Sequence, residues 1–244
     1  MCVVVQESPD SRGLAFIMHG LAGFKEQPHL ATLADVLLSH GYNVVTFDTT
    51  NSFGESEGKF EDVTFQGSYE DLVDLITWAK GEAWYREPFV LIGHSLGGYC
   101  VARYAEENPN EVKAVFPYAV GIAYDLVYKK LYTEEQLRNW KETGWKIAEH
   151  KAKPGVMTRL PWSYMEEIKK HDLRPKTRNL TMPVLLMVGE NDTSCPPETQ
   201  KILYDLVPGP KELHIVPAAP HTFVDPKHLE ESRVIFDKWL KNYA

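Results

Sequence analysis

The sequence contains three cysteines, Cys2, Cys100 and Cys195, and no C-x-x-C pair. An odd number of widely spaced cysteines argues against a disulfide framework and against a thiolate metal site. No apolar run approaches the roughly 20 residues that a membrane-spanning helix needs. The first residues, MCVVVQESPD, lack the basic and apolar regions of a signal peptide, so we expect a cytoplasmic protein.

Positive charge is also scarce. Lysine and arginine number 26 against 34 aspartates and glutamates, the net charge is −8, and the basic residues are scattered. This distribution does not resemble a nucleic-acid-binding surface, so we expect no nucleic-acid partner. The chain also lacks Gly/Ser tracts, Pro-rich runs and internal repeats that could mark separate domains. With 244 residues, 43% of them hydrophobic, we expect a single domain over 1–244.

Short β-rich runs recur along the chain, and several are apolar throughout rather than alternating. Strands buried on both faces of a mostly parallel sheet have this pattern. Amphipathic segments, such as 29–41, 67–81 and 225–242, separate most of the runs. This alternation predicts βαβ units, and therefore an α/β fold with a mostly parallel central sheet flanked by helices. The predicted strands are 3–6, 14–19, 42–48, 89–93, 112–119, 183–189 and 212–217.

The region from about 120 to 180 differs, because it shows no clear strand. It contains helix-like pieces at 133–150 and 161–170 and is rich in aromatic residues. The region follows a predicted strand, at the edge of the sheet where ligands bind in open α/β folds. We therefore expect a helical cap at about 120–180 over a core formed by about 1–119 and 181–244. Tyr124 and Trp162 are the candidates for residues that line a substrate pocket.

The stretch Gly93-His94-Ser95-Leu96-Gly97 joins an apolar run directly to a helical pattern. A nucleophilic serine on such a turn has a strained backbone, and the residues two before and two after it must be very small. Gly93 and Gly97 meet that requirement. The alternative is a glycine-rich turn in which Ser95 only caps a helix. The strand before it and the helix after it favour Ser95 as a nucleophile.

A serine nucleophile needs a base, and the base needs an orienting acid. His221, in a loop between the last predicted strand and the last helix, is the candidate base; the alternative is an ordinary surface histidine. Asp192, shortly after the predicted strand 183–189, is the candidate acid because the chain order is then Ser, Asp, His. Asp192 could instead serve only as a turn residue, and Asp125 is the alternative acid.

Two backbone N–H groups could complete the site. Leu21 follows His19-Gly20 at the end of an early strand, and Leu96 follows the candidate nucleophile. Both N–H groups could face the oxyanion of a tetrahedral intermediate. The alternative for the HGLAG stretch is a simple turn. Cys195 is interpreted as a small turn or core residue. This chemistry needs no metal and no organic cofactor.

Four segments resemble the α/β-hydrolase superfamily over essentially the whole chain: HGLAG at 19–23, GHSLGG at 93–98, GENDTSCPP at 189–197 and PHTF at 220–223. HGLAGFKE and GESEGKFEDVTFQGSYEDL are similar to small serine esterases of the cinnamoyl or feruloyl esterase type. The loop at 47–58 departs from their pattern, with Asn51-Ser52 where a glycine is common.

The resemblance implies the α/β-hydrolase fold with a compact cap. It also implies Ser95, Asp192 and His221 as a catalytic triad, with Leu21 and Leu96 as oxyanion donors.

The expected function is therefore a serine carboxylic-ester hydrolase that acts on small acyl or aryl esters through an acyl-enzyme intermediate. An acyl-CoA thioesterase and an acyl-peptidase-type amide hydrolase are alternatives with the same triad. A non-catalytic ligand-binding protein on this fold is the alternative from another class. The expected partner is a small-molecule ester, and the sequence leaves open whether the chain forms a homo-oligomer.

Overall fold

The computed structural model describes residues 1–243, with every side chain in that range except that of Lys130. A seven-stranded sheet lies at its centre, in the order β1-β3-β2-β4-β5-β8-β9. Within this sheet, only β1 runs antiparallel to its neighbour, so the predicted mostly parallel sheet is confirmed. The strands are β1 (Cys2–Gln6), β2 (Gly13–Met18), β3 (Tyr42–Asp48), β4 (Phe89–His94), β5 (Val112–Tyr118), β6 (Trp145–Glu149), β7 (Met157–Pro161), β8 (Val184–Gly189) and β9 (Lys211–Val216).

Helices cover both faces of the sheet. The helix α1 packs with α8 on one face, and α2, α3 and α7 pack on the other. The helices are α1 (Pro28–Ser39), α2 (Phe65–Ala79), α3 (Leu96–Glu107), α4 (Tyr128–Leu131), α5 (Glu134–Thr143), α6 (Trp162–Ile168), α7 (Pro197–Leu206) and α8 (Pro226–Tyr243). Single 3₁₀ turns lie at Phe60–Asp62 and Thr177–Asn179. Within residues 1–243, no helix combines the length and the apolarity needed to cross a bilayer.

The central strands explain the continuous apolar runs of the sequence. Every residue of β2, β3, β4 and β8 is buried, since helices cover both faces of these strands. Full burial of one large aliphatic or aromatic side chain stabilises the folded state by about 1.5–3 kcal/mol. The seven predicted strands agree with the observed ones to within one residue at each end.

The segment between β5 and β8 contradicts part of the prediction, because it contains a β-hairpin. The helix α5 begins as expected, with Thr133 and Gln136 forming a capping box. It ends at Gly144, whose φ of 77° is the left-handed conformation that terminates helices. The chain then forms β6, paired antiparallel with β7, where a helix to residue 150 had been predicted. The expected division into a core and a cap stays a prediction.

Hydrogen bonds attach this segment to the rest of the fold, among them those of Glu167 and His150. The carboxylate of Glu167 on α6 accepts the N–H groups of Phe65 and Gln66, both at 2.9 Å, at the start of α2. A negative charge is favourable there because the helix dipole is positive at its N-terminus. The hairpin is held by His150, whose Nε2 donates to the carbonyl oxygen of Ala22 at 2.8 Å. The hairpin therefore lies over the loop that follows β2.

Candidate active site

The predicted site residues follow four strands of the central sheet. Leu21 lies after β2, Ser95 directly after β4, Asp192 after β8 and His221 after β9. In a parallel sheet the C-terminal ends of these strands meet at one edge, where open α/β folds bind their ligands. The fold therefore brings together residues that are up to 200 positions apart in the chain.

Ser95 lies on a strained turn. Its φ is 55° and its ψ is −112°, a backbone conformation that residues other than glycine rarely adopt. A Cβ at Gly93 would lie 2.2 Å from the carbonyl oxygen of Gly97, and one at Gly97 would lie 2.5 Å from that of His19. The two glycines therefore allow three backbone segments to approach one another. This is the strand–turn–helix geometry expected around a nucleophilic serine.

Ser95, His221 and Asp192 form one hydrogen-bonded chain. The distance from Ser95 Oγ to His221 Nε2 is 3.0 Å, and from His221 Nδ1 to Asp192 Oδ2 it is 2.7 Å. The other carboxylate oxygen of Asp192 accepts the backbone N–H groups of Ser194 and Cys195, both at 2.8 Å. Because the carboxylate accepts, Nδ1 of His221 carries the hydrogen and Nε2 presents its lone pair to Ser95.

The alternative acid is not part of this chain. Asp125 lies on the surface, with 54% of its side chain exposed, and forms an ion pair with Arg174 at 2.9 Å. Asp192, in contrast, has a fully buried side chain. The carboxylate in contact with His221 is therefore the one expected from chain order.

Two further histidines lie behind His221, and their positions were not recognised from the sequence. Nε2 of His94 donates to the carbonyl oxygen of His221 at 3.0 Å, which fixes the backbone that carries the imidazole. The ring of His29 packs edge-on against His94, with the centroids 4.5 Å apart. Burial lowers the pKa of His94 well below its ordinary value and that of His29 to about 3. Both rings are therefore neutral at neutral pH.

The two candidate oxyanion donors lie beside Ser95. Leu21 and Leu96 both line the cavity into which Ser95 opens. Leu96 is the first residue of α3, and N–H groups in the first turn of a helix have no partner within the helix. The space between the β2 loop and Ser95 is small, since a Cβ at Gly20 would lie 3.1 Å from that of Ser95.

The cavity has a volume of about 530 Å³. Ser95 and His221 lie on its floor, and the hairpin together with α4 forms its roof. The aromatic residues that line it are Phe60, Tyr128 and Tyr132. The hairpin was not predicted because the helical pattern of α5 continues through Gly144 in the sequence, and nothing in the sequence distinguished Tyr128 and Tyr132 from the other aromatic residues of the segment.

The structure does not support Tyr124 and Trp162 as lining residues, since neither is among the described residues of the cavity wall. Both rings instead form cation–π contacts with Lys169, whose Nζ is 5.5 Å from each ring centroid. The Trp162 indole also packs on Trp140, 5.7 Å away. These aromatic side chains contribute to the packing of this segment rather than to the cavity.

Residues suited to metal binding meet elsewhere. Among residues 1–243, the one such group consists of Cys2, Asp48 and Glu55. The Nζ of Lys25 lies 2.8 Å from Asp48 and 2.6 Å from Glu55, so a lysine already supplies the positive charge there.

Cys195 is buried next to Asp192, and burial raises the pKa of its thiol well above the ordinary value. A neutral thiol agrees with the interpretation of Cys195 as a core residue.

Comparison with known proteins fits this geometry. A family model described as Hydrolase_4, serine aminopeptidase S33, matches residues 9–226. The chain belongs to this family. This membership confirms the α/β-hydrolase superfamily expected from the four sequence segments.

Relatives of this S33 family member include a lipase and a thioesterase. The lysophosphatidylserine lipase ABHD12 of Danio rerio is 29% identical over 84% of the chain and 50% of its own length. The mitochondrial palmitoyl-protein thioesterase ABHD10 of Mus musculus is 29% identical over 65% of the chain and 51% of its own length. The chain thus spans about half the length of each.

Among solved structures, Est1E of Butyrivibrio proteoclasticus with bound ferulic acid superposes with a TM-score of 0.82. It is 19% identical, and the match covers 99% of this chain and 94% of Est1E. At this identity the likeness supports the fold alone. The α/β-hydrolase architecture is therefore common to the chain and to an esterase with different side chains over most of its length.

Proposed function

We propose that the protein is a serine carboxylic-ester hydrolase that cleaves small acyl or aryl esters, with Ser95, His221 and Asp192 as its catalytic triad. The observation that carries this proposal is the hydrogen-bonded chain of 3.0 and 2.7 Å that ends at Ser95 Oγ, on a strained turn, at the floor of a cavity. We further propose that 1–244 is one domain in which about 120–180 form the cap.

In this proposal, Ser95 Oγ attacks the ester carbonyl carbon while its proton moves to Nε2 of His221. Asp192 holds Nδ1–H and stabilises the imidazolium. The tetrahedral intermediate then expels the alcohol, which takes the proton from Nε2, and leaves an acyl group on Ser95. A water molecule, deprotonated by the same histidine, attacks the acyl carbon. Collapse of the second intermediate releases the acid and returns the proton to Ser95.

The N–H groups of Leu21 and Leu96 hold the developing oxyanion. Loss of one such donor typically lowers the rate by about 10²–10³-fold. The position of Leu96 at the start of α3 supports this role, because the positive end of the helix dipole also favours a negative charge. The two leucine side chains can vary without removing these donors, since the backbone supplies them.

A thioesterase is the second candidate. The similarity to the palmitoyl-protein thioesterase ABHD10, 29% identical over 65% of this chain, favours it. The cavity of about 530 Å³ also has room for part of an acyl chain. An amide hydrolase, in line with the family description, uses the same residues. Ester, thioester and amide hydrolysis differ in the leaving group rather than in the nucleophile, so one set of matched substrates separates these three activities.

The test compares hydrolysis of p-nitrophenyl esters from acetate to decanoate and of an aryl acid ester with that of the matching thioesters and anilides. We expect the highest kcat/KM on the esters. Ser95→Ala should remove all turnover above background, and a fluorophosphonate probe should label Ser95 in the intact protein. The control, Ser39→Ala on α1, makes the same change on an exposed residue outside the cavity and should keep full activity.

Each other outcome has a definite meaning. A higher kcat/KM on thioesters or anilides with the same dependence on Ser95 would replace the ester assignment and keep the triad. Full activity of Ser95→Ala, or probe labelling at another residue, would refute the triad itself. Ligand binding by a folded protein without turnover on any series would identify a non-catalytic member of the fold.

A further inference from the structure

Lys146 is the feature of the cavity that the proposed hydrolysis does not use. It lies on β6 in the roof, and Ala148 and His150, the next two alternate positions of the hairpin, also line the cavity. Ile147 between them points outward, with 58% exposure. Strand alternation therefore directs the lysine side chain inward, toward the space above Ser95.

Two aromatic rings hold the ammonium group in place. Nζ of Lys146 donates to the hydroxyl of Tyr132 at 2.7 Å and lies 4.5 Å from the centroid of that ring. It also lies 5.8 Å from the ring of Trp140. A lysine fixed by cation–π contacts loses less side-chain freedom when it binds a ligand. The position of the charge is thus set before any ligand enters.

Among the described residues, no carboxylate lies within 4 Å of Nζ of Lys146. Glu149 also borders the cavity, but its side chain is exposed and accepts the N–H of Gly155 at 2.8 Å. Lys151, an exposed lining residue, adds a second positive charge. The ionised lining residues described thus number two lysines and one glutamate, in a protein whose net charge is −8.

A half-buried, positioned cation without a carboxylate partner is well placed to bind a negatively charged group of a ligand. We propose that the site selects esters that carry an anionic group, a carboxylate or a phosphate, apart from the scissile bond, and that Lys146 is the residue that binds this group. The proposal rests on the proposed ester hydrolysis and names its substrate class. Hydrogen bonds to charged groups are about twice as strong as neutral ones, so the preference should be measurable.

The experiment compares two matched pairs of esters. In the carboxylate pair, mono-p-nitrophenyl adipate is compared with its neutral methyl ester. In the phosphate pair, 1-hexanoylglycerol 3-phosphate is compared with 1-hexanoylglycerol. We expect the wild type to favour the charged member of at least one pair by about tenfold in kcat/KM. Such a factor corresponds to about 1.4 kcal/mol. The pair that shows the larger ratio tells whether the natural anion is a carboxylate or a phosphate.

The variants locate the preference. Lys146→Met keeps most of the length of the side chain without its charge and should bring the ratio close to one, by lowering kcat/KM on the charged esters. Lys146→Arg keeps the charge and should retain most of the preference. The matched control is Lys141→Met, an exposed α5 residue outside the cavity wall, which should leave the ratio at the wild-type value.

The proposal is overturned if the wild type shows no preference in either pair, or if Lys146→Met leaves the ratio unchanged. Its failure differs from failure of the proposed function. Turnover of the neutral esters that depends on Ser95 reports hydrolysis alone, whatever Lys146 does. Thermal unfolding of Lys146→Met at the wild-type temperature would show that a lost preference does not arise from misfolding.

Discussion

Replacement of Asp192 by asparagine tests how the site sets the tautomer of His221. In the native site, Oδ1 accepts two backbone N–H groups at 2.8 Å and Oδ2 accepts Nδ1–H of the histidine at 2.7 Å. An asparagine can place one oxygen and one NH₂ group at these two positions. The orientation that turns NH₂ toward the backbone N–H groups loses two buried hydrogen bonds, at about 1–3 kcal/mol each.

In the favoured orientation of the asparagine side chain, the amide oxygen therefore accepts the two backbone N–H groups and the NH₂ group faces His221. Nδ1 must then accept a hydrogen bond, so the ring hydrogen moves to Nε2 and faces Ser95 Oγ. In this tautomer the histidine cannot take the serine proton. An equivalent change in a well-studied triad lowers kcat by about 10⁴-fold, or roughly 5.5 kcal/mol, and we expect a loss of this order.

The assay is steady-state hydrolysis of p-nitrophenyl butyrate, with kcat and KM measured separately. We expect the loss in kcat, with KM changed by less than about threefold, because the cavity keeps its shape. Asp125→Asn is the matched control and should leave kcat unchanged, since Asp125 is an exposed partner of Arg174. A loss below tenfold for Asp192→Asn, or an equal loss for both variants, would refute the reasoning.

Three further predictions concern stability, each measured by chemical or thermal unfolding. Gly93→Ala should destabilise the protein by at least about 2 kcal/mol, because its Cβ would meet the backbone oxygen of Gly97 at 2.2 Å. His29→Phe should weaken the loss of stability on acidification between pH 6.5 and 3, by up to about 1.4 kcal/mol per pH unit, because burial lowers the His29 pKa to about 3 and the unfolded chain binds the proton first. Glu106→Gln should stabilise the protein increasingly from pH 4.5 to 8, because burial raises the Glu106 pKa to about 8 and the folded wild type keeps a proton that the unfolded chain releases.

Each of these has its own control. Gly81→Ala places its Cβ 3.4 Å from the nearest atom and should cost little, so equal losses at Gly93 and Gly81 would contradict the steric argument. Glu142→Gln, at an exposed position of α5, should leave the dependence of stability on pH between 4.5 and 8 unchanged. A wild-type stability that is flat between pH 6.5 and 4 would contradict the assignment of His29 as a buried neutral group, since no proton uptake would then accompany unfolding.

The central sheet was predictable from the sequence because its strands are buried on both faces. Short continuous apolar runs such as those of β4 and β8 are typical of strands that helices cover on both faces. The arrangement of Ser95, Asp192 and His221 could also be anticipated. Each of these residues follows a strand of the same parallel sheet, so topology brings them to one edge. The catalytic role of the three residues remains the proposal made above.

The roof of the cavity could not be predicted in the same way. The hairpin is short and half-exposed, so its alternation is weak, and the strong helical pattern of α5 directly precedes it. Gly144 was the available signal for the end of that helix. The role of His94 depends on a contact across 127 positions, from its ring to the backbone of His221. A contact of this kind between a ring and a distant loop leaves no local pattern in the sequence.

The bond from His150 to Ala22 has a consequence for attempts to change the substrate range by exchanging the hairpin. Ala22 follows Leu21 and has a φ of 57°, so a single hydrogen bond of 2.8 Å from the roof helps to fix a loop in a conformation unusual for alanine. A transplanted hairpin that lacks a donor at position 150 would alter the roof and the oxyanion loop at the same time. Designs that replace 145–161 should therefore retain His150 and diversify the inward positions 146, 148 and 158.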